Sequence, residues 1–120
     1  MKNFRELKIW QKGFEIAVSC YKLVETFPRE EKFGLSIQIT RAAVSIPSNI
    51  AEGCGRSSEK DCRRFLEIAM GSSFEVETQV LIARAAHFGD TELCNHILTC
   101  LTEEQKMLAA FMNKLAKSQP

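Results

Sequence analysis

Basic side chains recur at helical spacing in two parts of the sequence, where they could contact phosphate groups. Lysines and arginines three or four residues apart lie on one side of a helix, and each contact with a nucleic-acid phosphate adds salt-dependent affinity. Acidic neighbours dilute the charge, so for a single subunit a solvated helix face is the simpler interpretation. Repeated around a ring, the same side chains would form a larger basic surface. The nucleic-acid-binding candidates are Lys8, Lys12, Arg56, Lys60, Arg63 and Arg64.

A second group of polar residues has the composition of a contact surface. The predicted second helix carries small and amide side chains around Arg41, including Asn49, followed by Glu52, and the third helix carries Glu75. We hypothesise that Arg41 pairs with Glu75 or Glu52 in a partly buried network between helices or between subunits. Such a network would fix register and assembly more than it stabilises the fold. A catalytic use of Arg41, Glu75 and Asn49 is the least favoured interpretation.

His96 and Cys100 are four residues apart, so both side chains could reach one metal ion from the same side of a helix. Cys94 lies on a different side. Two ligands do not make a structural zinc site, which uses four. We therefore predict no metal site and no cofactor. We also predict no catalytic residues, because no histidine, cysteine or second acid lies at helical spacing from Glu75.

Length and composition indicate one globular domain over residues 1–120. Hydrophobic residues make up 45% of the chain and charged residues 26%, which is ordinary for a globular protein. The net charge of +1 excludes a strongly basic nucleic-acid binder. The five cysteines form no C-x-x-C pair, and no export signal or membrane-length apolar run is visible. We expect a cytoplasmic protein with reduced thiols and no membrane contact.

The first predicted helix has two neighbouring apolar stripes and ends before Pro28. Each stripe follows steps of three and four residues, so together they make a wide apolar face. Residues beside the main stripes, such as Ile9, Ile16, Leu23, Ile68 and Ile82, are either additional core or a subunit interface, and we favour self-association. One stripe is Leu7, Trp10, Phe14, Ala17, Tyr21 and Val24, and the other is Ile9, Gly13, Ile16, Cys20, Leu23 and Phe27.

Three more helices follow. The residues predicted to face inward are, on the second, Leu35, Ile39, Ala42, Ala43, Ile46 and Ile50 and, on the third, Cys62, Leu66, Ala69, Ser73, Val76, Val80 and Ala83. The second is predicted over residues 31–53, with a kink at Pro47, where a backbone donor is lost. The third begins after an N-cap at Ser58 and ends near Gly89, and the fourth is capped by Asp90 or Thr91. Because short connections force neighbouring helices to run antiparallel, the sequence predicts an all-α, antiparallel up-and-down four-helix bundle.

These segments resemble a known bacterial family, the 23S rRNA-intervening-sequence proteins, sometimes labelled ribosomal proteins. The most specific run is residues 45–53 (SIPSNIAEG) with Gly55 and Arg56, preceded by residues 6–12 (ELKIWQK) and residues 33–35 (FGL). Phe65, Leu66, Gly71, Ser72 and Glu75 continue the match, which covers about residues 4–82.

The resemblance implies a four-helix bundle that assembles as a homopentamer and has no established catalytic residues. Some members are encoded inside intervening sequences of large-subunit rRNA genes. Accessory proteins of diversity-generating retroelements look like relatives, and these engage a reverse transcriptase and nucleic acid through a basic barrel. We therefore expect a non-enzymatic, pentameric interaction module that binds RNA or a nucleic-acid-handling protein. The alternative is a scaffold protein with protein partners only.

Overall fold

Four long helices form an antiparallel bundle in which each helix packs on two neighbours. The computed structural model describes residues 3–118. Its helices are α1 (Lys8–Val24), α2 (Leu35–Cys54), α3 (Glu59–Ala85) and α4 (Thr91–Ser118), and short 3-10 turns cover Phe4–Glu6 and Arg29–Glu31. Helix α1 packs on α2 and α4, and α3 packs on the same two helices. The bundle measures 51 × 21 × 20 Å, and the predicted fold class is confirmed.

The helix boundaries follow the predicted caps with one exception. The Ser58 hydroxyl accepts a hydrogen bond from the Asp61 N–H at 3.1 Å, as expected for an N-cap. The Asp90 carboxylate accepts the Leu93 N–H at 2.8 Å, so Asp90 caps α4. Helix α2 begins later than predicted because the 3-10 turn and a non-helical Gly34 precede it. It then continues through Pro47 to Cys54.

Helix α3 ends in a tight left-handed turn. His87 has φ 60°, and the Phe88 N–H donates to the Ala83 carbonyl at 2.8 Å while the His87 N–H donates to the Arg84 carbonyl at 3.1 Å. These two bonds form the Schellman motif, which satisfies the last carbonyls of a helix. The turn directs Phe88 towards Phe27, with ring centroids 6.1 Å apart.

The α1–α2 and α3–α4 connections meet at what we call the closed end, formed by Thr26, Phe27, Phe88, Gly89 and Asp90. Gly89 has φ 77°, and a Cβ there would lie 2.7 Å from the Thr26 Oγ1 and 2.8 Å from a Phe27 ring carbon. The Thr26 hydroxyl also accepts the Asp90 N–H at 3.0 Å. Glycine is therefore required by both conformation and space.

The core confirms the predicted inward residues of α2 and α3 and corrects those of α1. The α1 stripe that points inward contains Ile9, Ile16 and Leu23, whereas Phe14 and Tyr21 of the other stripe are half-exposed. The physical reason is the buried Gly13: without a side chain, it allows α1 to lie close to α2 and α4 along that stripe. The aromatic stripe is consequently turned outwards. Ile68 and Ile82 on α3 are exposed, unlike Ile9, Ile16 and Leu23.

Within residues 3–118, no helix combines the length and the apolar character that crossing a membrane requires.

Candidate functional site

Five of the six basic candidates lie at one end of the bundle, where α1 and α3 begin and α2 and α4 end. We call it the basic end and define it by Lys8, Arg56, Lys60, Arg63 and Arg64. Lys8, Lys60 and Arg64 are exposed, and Arg63 is half-buried. A pocket of about 360 Å³ opens here and is lined by residues from all four helix ends, among them Leu7, Cys54, Cys62 and Leu115.

Contacts with neighbouring helix residues position Arg56. Its guanidinium carbon lies 4.5 Å above the centre of the Phe65 ring, and Nη2 is 3.5 Å from a Glu52 carboxylate oxygen. Gly53 brings the two helices close, since a Cβ there would lie 3.0 Å from the Phe65 Cβ. Cation–π stacking leaves the edge of a guanidinium free to donate hydrogen bonds. Arg56 is thus held at the surface with donors available.

The structure does not bring Lys12 to the basic end. Its Nζ lies 3.4 Å from the Glu15 Oε1 and 3.6 Å from a Glu103 oxygen, between α1 and α4. Burial works to lower the pKa of Lys12, but Glu15, the Cys100 thiol and Glu103 outweigh it and the pKa is raised. The Lys12 charge is therefore matched within the chain, and we remove Lys12 from the candidate nucleic-acid surface.

A polar seam joins α2 to α3. The Ser45 and Ser72 hydroxyls lie 2.8 Å apart, and the Asn49 amide donates to the Ser45 carbonyl at 2.8 Å. The Gln79 amide donates to a Glu75 oxygen at 3.2 Å. Asn49 and Glu75 therefore have polar partners within the chain, a serine and a glutamine.

The predicted salt bridge of Arg41 with Glu52 or Glu75 is not formed within one chain over the described range 3–118. Arg41 is exposed, Glu52 pairs with Arg56, and Glu75 accepts from Gln79. A pairing of Arg41 between subunits stays a prediction.

Two exposed apolar surfaces lie on opposite helices. The aromatic face is defined by Phe14, Val18 and Tyr21 of α1 and Val44 of α2, which are exposed, with the partly buried Trp10 at its edge. The α3 stripe is defined by Ile68, Phe74, Leu81 and Ile82. Phe14 is 51% exposed, Tyr21 53%, Phe74 52% and Ile82 51%. Contiguous exposed apolar groups of this kind mark interaction surfaces in soluble proteins.

Sequence reasoning missed a fully buried acid, Glu104 of α4. Neither of its carboxyl oxygens has a hydrogen-bond partner among the described residues, and a Cβ at Gly13 would lie 2.9 Å from Oε2. Burial raises the pKa of Glu104 to about 8, although Lys12 acts to lower it. Its position in the sequence could have indicated burial, because Glu104 continues the buried stripe of Ile97, Leu101 and Leu108.

Comparison with known proteins agrees with this architecture. A family model described as 23S rRNA-intervening sequence protein matches residues 5–110. The chain belongs to this family. The match reaches well into α4, beyond the residues that carried the sequence resemblance.

A crystal structure of another protein is similar over almost the whole bundle. That protein has unknown function and comes from the S23 ribosomal protein family of Bacteroides thetaiotaomicron. It is 28% identical, with a TM-score of 0.80, and the match covers 88% of this chain and 95% of that chain. No curated protein matches the chain. Neither the family description nor the similar structure names an activity.

Proposed function

We propose that this protein is a non-enzymatic, cytoplasmic interaction module that assembles as a ring, a homopentamer, and binds RNA through the basic ends of its subunits. The observation that carries the proposal is the pair of separate apolar surfaces, the aromatic face and the α3 stripe. Four half-exposed aromatic or aliphatic side chains, Phe14, Tyr21, Phe74 and Ile82, are unfavourable in water and stabilise an interface when covered.

The two surfaces lie on different helices and consist of different residues, which favours a head-to-tail contact. A contact between unlike surfaces of identical subunits closes into a ring when the rotation allows it. Gly71 lies on the α3 stripe with no atom within 4 Å of the position of a Cβ, so a neighbouring helix has room to approach. The aromatic face of one subunit would therefore cover the α3 stripe of the next.

Native mass spectrometry tests the assembly. We expect the unmodified chain to give a pentamer, and Phe14→Glu and Ile82→Glu each to give smaller species. Thr102→Glu is the matched control, because Thr102 is exposed on α4, outside both surfaces, and the substitution introduces the same charge. A monomeric mass for the unmodified chain would contradict the proposal.

Mixing the two variants separates a head-to-tail contact from a symmetric one. Phe14→Glu retains the α3 stripe, and Ile82→Glu retains the aromatic face. In the mixture, the α3 stripe of Phe14→Glu can still contact the aromatic face of Ile82→Glu. We therefore expect heterodimers and no rings. A symmetric contact between two aromatic faces would instead leave Ile82→Glu assembled and produce no heterodimer with Phe14→Glu.

We further propose that the contact between subunits pairs Arg41 with Glu75, since each is exposed and lacks an ion pair within residues 3–118. Arg41→Glu should weaken the ring, and adding Glu75→Arg should restore it. If Arg41→Met leaves assembly and stability unchanged, the pair has no role.

Fluorescence anisotropy with a labelled RNA oligonucleotide tests nucleic-acid binding. We expect affinity that falls steeply as salt rises and is lost in the double variant Lys60→Glu, Arg64→Glu. The matched control is Lys22→Glu, Arg29→Glu, which makes the same charge change near the closed end. No binding at low salt, together with co-purification of a protein partner, would favour the scaffold function.

A further inference from the structure

Three potential metal ligands from two helices converge on one point of the surface between α1 and α4. The His96 Nε2 lies 3.3 Å from the Glu15 Oε2, the Cys100 Sγ lies 3.5 Å from the same oxygen, and Sγ and Nε2 are 3.6 Å apart. The sequence supplied two of these ligands, four residues apart on α4. The packing of α1 against α4 supplies the third, which no spacing along the chain revealed.

The triangle has the dimensions of one face of a tetrahedral zinc site. With bonds of about 2.0–2.1 Å to nitrogen and oxygen and about 2.3 Å to sulfur, tetrahedral angles separate the ligand atoms by about 3.3–3.6 Å. The three observed separations run from 3.3 to 3.6 Å. An ion could therefore sit between the three atoms without rearrangement of the helices.

We propose that Glu15, His96 and Cys100 bind one Zn²⁺ ion and leave its fourth position open to water. A carboxylate and a thiolate together balance the ion's double positive charge, and the mixture of sulfur, imidazole nitrogen and oxygen suits zinc better than magnesium or calcium. Glu15 and His96 are exposed while Cys100 is buried behind them. The ion thus enters from solvent, and the thiol at the base of the site loses its proton on binding.

Lys12 orients the carboxylate for this role. Its ammonium group donates to the Glu15 Oε1 at 3.4 Å, so that oxygen is occupied and Oε2 faces His96 and Cys100. Such outer-shell hydrogen bonds fix the direction of ligating groups in metalloproteins. Glu103 holds the other side of Lys12 at 3.6 Å. The arrangement makes Lys12 a positioning residue for the site.

Titration of the full-length, chelator-treated protein with Co²⁺ tests the site. We expect one ion per chain, a thiolate-to-cobalt charge-transfer band, the visible spectrum of tetrahedral cobalt, and displacement by Zn²⁺. Cys100→Ser should abolish the charge-transfer band, and His96→Ala should weaken Zn²⁺ binding by about 100-fold or more, since even outer-shell losses cost about 10–100-fold.

Control variants separate this triad from adventitious binding by other thiols and imidazoles. Cys94→Ser and His87→Ala should keep the native affinity and spectrum. Glu15→Gln changes an exposed side chain that is not part of the core, so it tests the site even if Cys100→Ser fails to fold. The proposal is overturned if the native chain binds neither ion at one per chain, or if Glu15→Gln and His96→Ala bind as tightly as the native chain.

Discussion

Glu15 and Glu104 are two acids at the same helix interface, both within the field of Lys12, yet their pKa values move in opposite directions. Burial acts to raise the pKa of Glu15, but Lys12, the Cys100 thiol and His96 outweigh it, and the pKa is lowered. Glu104 feels the same lysine, but its complete burial dominates and raises its pKa to about 8.

The difference arises from burial together with the partners within hydrogen-bond distance, and not from the nearby cation, which both acids share. Glu15 has Lys12, Cys100 and His96 in direct contact, whereas neither oxygen of Glu104 has a partner among residues 3–118. A carboxyl group in that setting stays neutral at pH 7 to avoid the free energy of an unpaired buried charge. One acid is thus an ionic surface group and the other a core side chain.

The largest expected effect is a loss of stability as pH rises. Because the pKa of Glu104 rises from 4.5 to about 8 on folding, the folded chain binds the proton more tightly. The contribution of Glu104 to the free energy of unfolding is therefore complete below about pH 4.5 and is lost as the pH rises to about 8. From pH 5 to pH 9 we expect the native chain to lose roughly 3–5 kcal/mol relative to Glu104→Gln.

Urea unfolding at several pH values measures this difference. Thr102→Ala is the control, because Thr102 is exposed on the same helix, two residues from Glu104, and carries no ionisable group, so the pH profile should stay intact. Parallel profiles for the native chain and Glu104→Gln would show that Glu104 is ionised throughout.

A methyl group at Gly13 should have the next largest effect. Its carbon would lie 2.9 Å from the Glu104 Oε2 and 3.1 Å from the Ile46 Cγ2, so Gly13→Ala should destabilise the bundle by about 1–3 kcal/mol. Part of that loss should disappear when Glu104→Ala is added, which a double-mutant cycle measures.

The matched control is Gly71→Ala on α3, where a Cβ meets nothing within 4 Å in the single subunit. Both glycine variants are compared in the Phe14→Glu background, which breaks the proposed subunit contact. There we expect a gain of about 0.5–1 kcal/mol from the higher helix propensity of alanine. Equal costs at both glycines would mean that helix propensity, and not space beside Glu104, determines the effect at Gly13.

Removal of Lys12, the cation near both acids, should have a smaller effect on stability. Lys12→Met eliminates the cation that acts to lower the pKa of Glu104. The fall in stability should then move to higher pH, while stability at pH 7 changes by less than about 1 kcal/mol. An unchanged pH profile would mean that Lys12 and Glu104 are not coupled.

The smallest effect is expected for Glu15→Gln. Glu15 and His96 are about half-exposed and Lys12 is partly exposed, and solvent-exposed ion pairs contribute about 0–1 kcal/mol. Chemical unfolding of the metal-free protein should therefore show a change of less than about 1 kcal/mol. A loss as large as that of Gly13→Ala would contradict the contrast between the two acids.

Periodicity predicted most of the bundle because a buried helix face repeats every three or four residues. The inward residues of α3, such as Cys62, Leu66 and Val76, and the Ser58 cap were all readable in this way. Helix α1 was ambiguous, since both of its apolar stripes satisfy the same spacing. Only the approach of neighbouring helices to Gly13 decides which stripe is inside.

The candidate sites were less predictable because they depend on the register between helices. An acid within an apolar stripe looks like surface until its neighbours are known, which is why Glu104 was missed. The third member of the triad, Glu15, lies 85 residues away from Cys100 along the chain, and no local pattern connects them. Lys12 was assigned to a phosphate-binding surface because sequence spacing does not show that Glu103 is its neighbour.

The antiparallel arrangement of an even number of helices has a practical consequence for labelling. Helix α1 starts and helix α4 finishes at the basic end, so an affinity tag or fusion domain attached ahead of one or behind the other would project beside Arg56 and Lys60. The closed end offers a labelling position away from the proposed RNA-binding residues. Glu30 is exposed in the turn between α1 and α2, and a fluorophore attached there would report on rotation of the whole particle while leaving the basic end unobstructed.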